Sequence, residues 1–157
     1  MDYWNRFYVA SKVNNPEAEA EVALVITELE KIGYRNTVDW TKLSVKKPYG
    51  QFRAENNPHA KAMVKAVKDA GIFIIRYADY MTGGNIETGI SIADATTALG
   101  NPVPGAYAKR LFVLGPAGVE DKSVFYTLEP FMFVRSVKEL VALLGHARPL
   151  IPPSLAA

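Results

Sequence analysis

The chemistry this chain could perform centres on Glu87. It closes the run Thr82-Gly83-Gly84-Asn85-Ile86-Glu87. A carboxylate beside small residues in the first turn of a helix can act as a nucleophile or as a partner for a developing cation. The glycines would let a ligand approach the backbone closely. The same carboxylate also needs no function, because acidic residues favour first turns through the helix dipole. Gly83-Gly84 is neither GxGxxG nor a Walker loop, and a glycine pair between strand and helix is often only a turn. Tyr8 ends an apolar strand on the same rim, where it would hydrogen-bond a carboxylate, stack on a base, or simply pack in the core. Asp39 and Trp40 close the next strand. Trp40 offers a wall for a flat heterocycle and Asp39 an acceptor for hydroxyls; the plainer reading is a capped strand end with a packed indole. His59 and His146 read as surface residues. Lys46-Lys47 and Lys61, Lys65 and Lys68 read as solvated faces rather than a nucleic-acid patch.

The elements that must position these groups alternate in type. Arg6 to Ala10 reads as a first strand. Pro16 opens a helix marked by Ala20, Ala23, Leu24, Thr27 and Leu29 and ended by Gly33. Tyr34 to Asp39 reads as a second strand. Trp40 to Pro58 is a long loop with room for a short helical turn, and such loops are often functional or mobile. Asn57-Pro58 opens a helix with Ala62, Met63, Ala66, Val67 and Ala70 on its apolar side. Ile72 to Ile75 is a continuous apolar run, as in a strand covered on both faces. After the glycine pair, Ile86, Ile90, Ala93 and Thr97 recur at helical spacing until Gly100-Asn101-Pro102. A proline-rich insertion leads to a strand at Arg110 to Leu114. Val124 to Thr127 and Met132 to Val134 compete as the fifth strand, and the second is favoured. Ser136 caps a last helix, with Glu139 at capping-box spacing and a stop at Gly145.

This order specifies an α/β protein: a three-layer α/β/α sandwich with a five-stranded, mostly parallel sheet, flavodoxin-like or Rossmann-like. Residues 1–146 read as one domain and 147–157 as a proline-rich tail. In such a sheet ligands bind at the carboxyl ends of the strands, and free N–H groups of the following helix face that crevice.

Composition narrows the classes. The 157 residues are 49% apolar and 22% charged, an ordinary globular balance. A net charge of +2 is too small to imply polymeric nucleic acid or a membrane surface. The absence of cysteine excludes disulfides and thiolate chemistry. Two histidines far apart argue against a His-rich metal site, and no metal or organic cofactor is indicated. The N-terminus lacks the pattern of a signal peptide, and no apolar run nears the roughly 20 residues of a membrane span. A cytoplasmic location is the default expectation.

Taken together, RFYVAS, VDWT and above all DAGIFIIRYADYMTGGNIETGISIA resemble the nucleoside 2-deoxyribosyltransferase family, including its nucleoside 5′-monophosphate N-glycosidase relatives. Gly83, Glu87 and Gly89 fall on the family's Gly-x-Gly/Thr-x-x-Glu-x-Gly pattern. The likeness covers most of the chain. It implies cleavage or base exchange at the N-glycosidic bond of a (deoxy)nucleoside or its 5′-monophosphate, through a covalent glycosyl-glutamate on Glu87. Tyr8 would orient that carboxylate. Gly83, Gly84 and Asn85 would line the sugar pocket, and Ser11 and Lys12 would lie where a 5′-phosphate binds. A neighbouring subunit would contribute the segment holding Ser123 and Phe125, which implies a homodimer or higher homo-oligomer. Met63 and Met81 stand where the family usually carries polar groups, Ala70-Gly71 stands for its Ala-Asp, and Asp69 sits about half a turn from the position of Met63. These departures leave open a non-catalytic nucleotide- or sugar-phosphate-binding module on the same scaffold. A purely structural or partner-binding domain has least support.

Overall fold

The computed structural model describes residues 3–79, 81–99, 109–128 and 131–146. Its strands are β1 (Arg6–Ala10), β2 (Arg35–Asn36), β3 (Ile72–Arg76), β4 (Arg110–Leu114) and β5 (Phe131–Val134). They form one sheet in the order β2-β1-β3-β4-β5, with every neighbouring pair parallel. Parallel strands require crossovers, and these are the helices α1 (Pro16–Lys31), α2 (Arg53–Asp69) and α3 (Thr82–Leu99), with α4 (Val137–His146) closing the chain.

Successive strand residues point to opposite faces, so each strand feeds two cores. Phe7, Val9, Ile72, Ile74, Phe112 and Leu114 pack with Val22, Val25 and Leu29 of α1 and Leu140 and Leu144 of α4. Tyr8, Ala10, Phe73, Ile75, Leu111 and Val113 pack with Ala66 and Val67 of α2 and Ala95 of α3. The result is the expected three-layer sandwich, in the strand order of flavodoxin-like proteins.

Several local expectations are corrected. The buried stripe of α1 is Ala18, Val22, Val25 and Leu29, whereas Leu24 is 48% exposed. Spacing by four, three and four residues tracks the helix better than the expected set, which shares only Leu29 with it. Strand β2 has two residues. Thr37 still bonds to Phe7 O at 2.9 Å, but the chain then turns into a 3-10 turn at Trp40–Lys42, because the Trp40 indole N–H reaches Val9 O at 2.6 Å. Helix α2 begins at Arg53, so Pro58 lies inside it. The added turn is held by Asn56, whose side-chain amide exchanges two 2.9 Å hydrogen bonds with the Lys46 backbone. Val124–Thr127 is a 3-10 turn, which leaves Phe131–Val134 as the fifth strand. Ser136 caps α4 through Glu139 N at 3.1 Å, but the Glu139 carboxylate reaches back to Arg135 N rather than to the cap itself. Helix α4 continues through Gly145 to His146. The Gly100-Asn101-Pro102 stop, the insertion after it and the 147–157 tail lie outside the described residues.

At the amino edge of the sheet, Gly71 N meets Tyr3 O at 3.2 Å, and a Cβ on Gly71 would stand only 2.6 Å from that oxygen. Lys109, just before β4, has a fully buried side chain. Its ammonium donates to Val67 O at 2.5 Å and to Asp94 Oδ2 at 3.0 Å, tying the end of α2 to α3. Burial lowers its pKa, and Asp94 opposes that shift. Truncating Lys109 strands a buried carbonyl and half of an ion pair, whereas Lys65, paired to Asp69, is 75% exposed. Lys109→Ala is expected to lower the unfolding free energy by about 3 kcal/mol, and Lys65→Ala by under ~0.5 kcal/mol. Urea denaturation of both variants checks this; equal losses would show that Lys109 is no clamp.

Candidate active site

Strand β1 and strand β3 are neighbours, yet the chain leaves them on opposite faces, to α1 and to α3. Their carboxyl ends therefore frame a crevice of the kind that holds ligands in open α/β sheets. Tyr8 lies on β1, paired with Phe73 of β3. The two rings stack 3° from parallel with centroids 6.0 Å apart. The Tyr8 hydroxyl donates to Glu87 Oε1 at 2.5 Å, across 79 positions of sequence.

Glu87 is not in a first turn. Helix α3 starts at Thr82, so the glycine pair is helical and Glu87 falls in the second turn. The first helical bond runs from Asn85 N to Met81 O at 2.8 Å. Met81 is 4% exposed, and its sulfur accepts Ala78 N at 2.9 Å, which closes the turn after β3. Gly84 packs directly on it: a Cβ there would meet the Met81 methyl at 2.5 Å. The glycine thus serves helix entry. The expected apolar stripe of α3 is also corrected. Ile86 is 63% exposed and Ala93 is exposed, while Gly84, Thr88, Ser91 and Ala95 are buried; the Thr97 side chain lies outside the described residues. A helix that meets the sheet through small residues lies close to it, and Glu87 is carried inward with them.

The burial of Glu87 raises its pKa to about 7, against the lowering hydrogen bond from Tyr8. Burial, then the Glu87 charge, drives Tyr8 far above the ordinary tyrosine range. Tyr8 therefore stays a donor at any ordinary pH, and Glu87 is divided between its acid and its carboxylate near neutrality.

The other expected site residues are distributed around this pair. Ser11 and Lys12 follow β1, and Lys12 Nζ approaches Asp79 O at 3.5 Å, which draws the loops after β1 and β3 together. Gly83 and Asn85 are exposed at the entry of α3. Trp40 spends its N–H on Val9 O and packs against the core on the Tyr8 side. Asp39 is engaged by Thr41 Oγ1 at 2.5 Å and Lys42 Nζ at 2.8 Å. Partial burial acts to raise its pKa, but the hydrogen bonds from Lys42 and Thr41 prevail and hold it low. Ser123 caps the Val124–Thr127 turn, accepting Phe125 N at 3.2 Å. Met63 is half-buried on α2, and Asp69 is paired with Lys65. His146 is exposed and His59 half-buried. Among the described residues, no group of three His, Cys, Asp or Glu side chains converges as a metal site, and no helix is long and apolar enough to cross a membrane. Two residues escaped the sequence reading: Thr88, whose hydroxyl donates to Gly84 O at 2.6 Å, and Ser91, whose hydroxyl is buried without a partner. Their spacing from Gly84, by four and seven, was the available signal.

No family model matches the chain, and no curated protein matches it. Among solved structures it is similar to the Clostridium botulinum CMP N-glycosidase BcmB, with a TM-score of 0.57 and 16% sequence identity over 91% of this chain and 99% of that one. The likeness is one of fold.

The raised pKa of Glu87 couples its charge to stability. The folded protein holds this proton more tightly than the unfolded chain, whose glutamate titrates near 4.5. The resulting stabilisation is complete below that value and is lost as pH rises through about 7. It amounts to roughly 3 kcal/mol. The stability of the wild type relative to Glu87→Gln is expected to fall by about that much between pH 4 and pH 8. Denaturant titrations across this range test it; a constant difference would refute the raised pKa.

Proposed function

We propose that this chain cleaves the N-glycosidic bond of a nucleoside or nucleoside 5′-monophosphate, with Glu87 as the nucleophile. The observation that carries the reading is the 2.5 Å hydrogen bond from Tyr8 to Glu87 Oε1 at the β1/β3 crevice. It joins the two residues for which the sequence motif implies nucleophile and orienting partner. The likeness in fold to a CMP N-glycosidase supports the same chemistry.

In this reading the ionised Glu87 attacks the anomeric carbon. A carbon–oxygen ester bond forms, the carbon–nitrogen bond breaks, and the base leaves with the bonding pair and takes up a proton. Water or a second base then displaces the carboxylate, which gives hydrolysis or base exchange. Tyr8 aims the carboxylate, with its ring braced on Phe73. Ser11 and Lys12 face a 5′-phosphate, and Gly83, Gly84 and Asn85 border the sugar. Trp40 and Asp39 stand beyond them on the loop after β2. A second copy of the chain completes the site by contributing its own segment around Ser123, in which Val124 and Phe125 are 75% and 60% exposed.

The competing reading is a binding module that does not turn over. Met63 and Met81 favour it: the thioether of Met63 moves no proton, and Met81, buried in the turn before Glu87, stands where a polar group would contact sugar or phosphate.

Incubation of the protein with a panel of nucleosides and 5′-monophosphates, with and without an acceptor base, is expected to release or exchange free base on chromatography. Glu87→Ala is expected to abolish this by at least ~10³-fold while keeping the fold. Calorimetric nucleotide binding without any product over a long incubation would establish the binding module instead.

A further inference from the structure

Among the described side chains of helix α3, two are buried hydroxyls on its sheet-facing side, and they behave differently. Thr88 returns its hydroxyl to the carbonyl four residues back, Gly84 O, at 2.6 Å. Ser91 does not. Its side chain is 0% exposed, and its Oγ has no hydrogen-bond partner. A buried hydroxyl left unmade is costly, and native proteins meet such groups with protein atoms or ordered water. Ser91 lies four residues after Glu87, so the two side chains share one helix face, with Cβ atoms about 5–6 Å apart. No direct hydrogen bond joins Ser91 Oγ to the carboxylate, so a link between the two runs through a water. Tyr8 occupies only Oε1 of the Glu87 carboxylate.

We propose that Ser91 is a positioning residue for Glu87: its hydroxyl donates to a buried water, and that water donates to the carboxylate oxygen that Tyr8 leaves free. The carboxylate is then held at both oxygens, by a phenol from β1 and by a water on its own helix. The proposal rests on Glu87 being the working group of the site, but its test needs no turnover. Among the described residues, the other titratable side chains of this core are Tyr77 and Tyr126. From β1 the titratable group is Tyr8. On this face β3 and β4 present Phe73, Ile75, Leu111 and Val113, and α2 presents Ala66 and Val67. Further along α3, Asp94 pairs with Lys109 just before β4, with Tyr3, Lys68 and Asp69 around them.

The experiment is a carbon-13 NMR titration of the Glu87 carboxyl in protein labelled at glutamate, with the resonance assigned by its absence in Glu87→Gln. Wild type is compared with Ser91→Ala and Ser91→Cys. Alanine is smaller and a better helix former, so a hydroxyl that only filled space would leave the titration unmoved. With the water bond lost, the midpoint in Ser91→Ala is expected to rise by about 0.7 pH unit. Ser91→Cys, a weak donor of nearly the same shape, is expected to fall between and carries the comparison should the alanine variant not fold. Midpoints within ~0.2 unit of wild type in both variants, against that expected shift, would overturn the proposal. If Glu87-dependent cleavage is found and the midpoints do not move, the function stands and this assignment falls. If no cleavage is found and the midpoint moves, the assignment stands without the function.

Discussion

The organising constraint is that β1 and β3 lie side by side while the chain departs from them in opposite directions. A five-stranded parallel sheet in the order β2-β1-β3-β4-β5 has one such place. There the following helices cannot close over the strand ends, and backbone that would otherwise be covered is open to a ligand. Tyr8 reaches this place from one strand and Glu87 from the helix after the other. Their contact spans 79 positions and exists only because the sheet is ordered this way.

Glu87 sits under two opposed influences. Burial favours the neutral acid, and the hydrogen bond from Tyr8 favours the anion. Burial prevails, which leaves the group near the midpoint of its titration at neutral pH. A carboxylate that remains desolvated yet ionisable is a stronger nucleophile than one bathed in water, and a phenol that cannot itself ionise is a steady partner for it. Tyr8 is in turn fixed by its strand pairing and by the parallel ring of Phe73. The turn closed by Met81 sets where α3 begins, and so how far along the helix the carboxylate falls.

Much of this architecture was legible. The runs RFYVA, IFII and RLFVL read as strands because continuous apolar residues suit a sheet covered on both faces. Strand β2 did not show its true extent, since Arg35 and Asn36 carry no strand signal and the chain is turned away by Trp40. Pro58 read as a helix start because proline suits a first turn, whereas the Asn56–Lys46 pairing supports an extra turn before it. Helix α3 was misread for a different reason. Its buried face is Gly84, Thr88, Ser91 and Ala95, which has no apolar period to detect, while exposed Ile86 imitates one. Glu87 and Tyr8 were each visible as candidates, but their meeting came from family likeness. Periodicity gives elements, not the order in which strands lie. Asp39 also read as an open acceptor, because its engagement by Thr41 and Lys42 depends on the local turn.

The small-residue face of α3 also acts as a spacer. Where large side chains interdigitate, helix and sheet can trade volume between neighbours and keep their distance by repacking. Gly84, Thr88, Ser91 and Ala95 leave little to trade, so the gap between α3 and the strands is metered by atoms close to the main chain. Added bulk at these positions would translate the helix as a rigid rod, and the carboxylate would travel with it relative to the tyrosine on β1. The distance between Glu87 and Tyr8 is thus a property of how thin one helix is on one side.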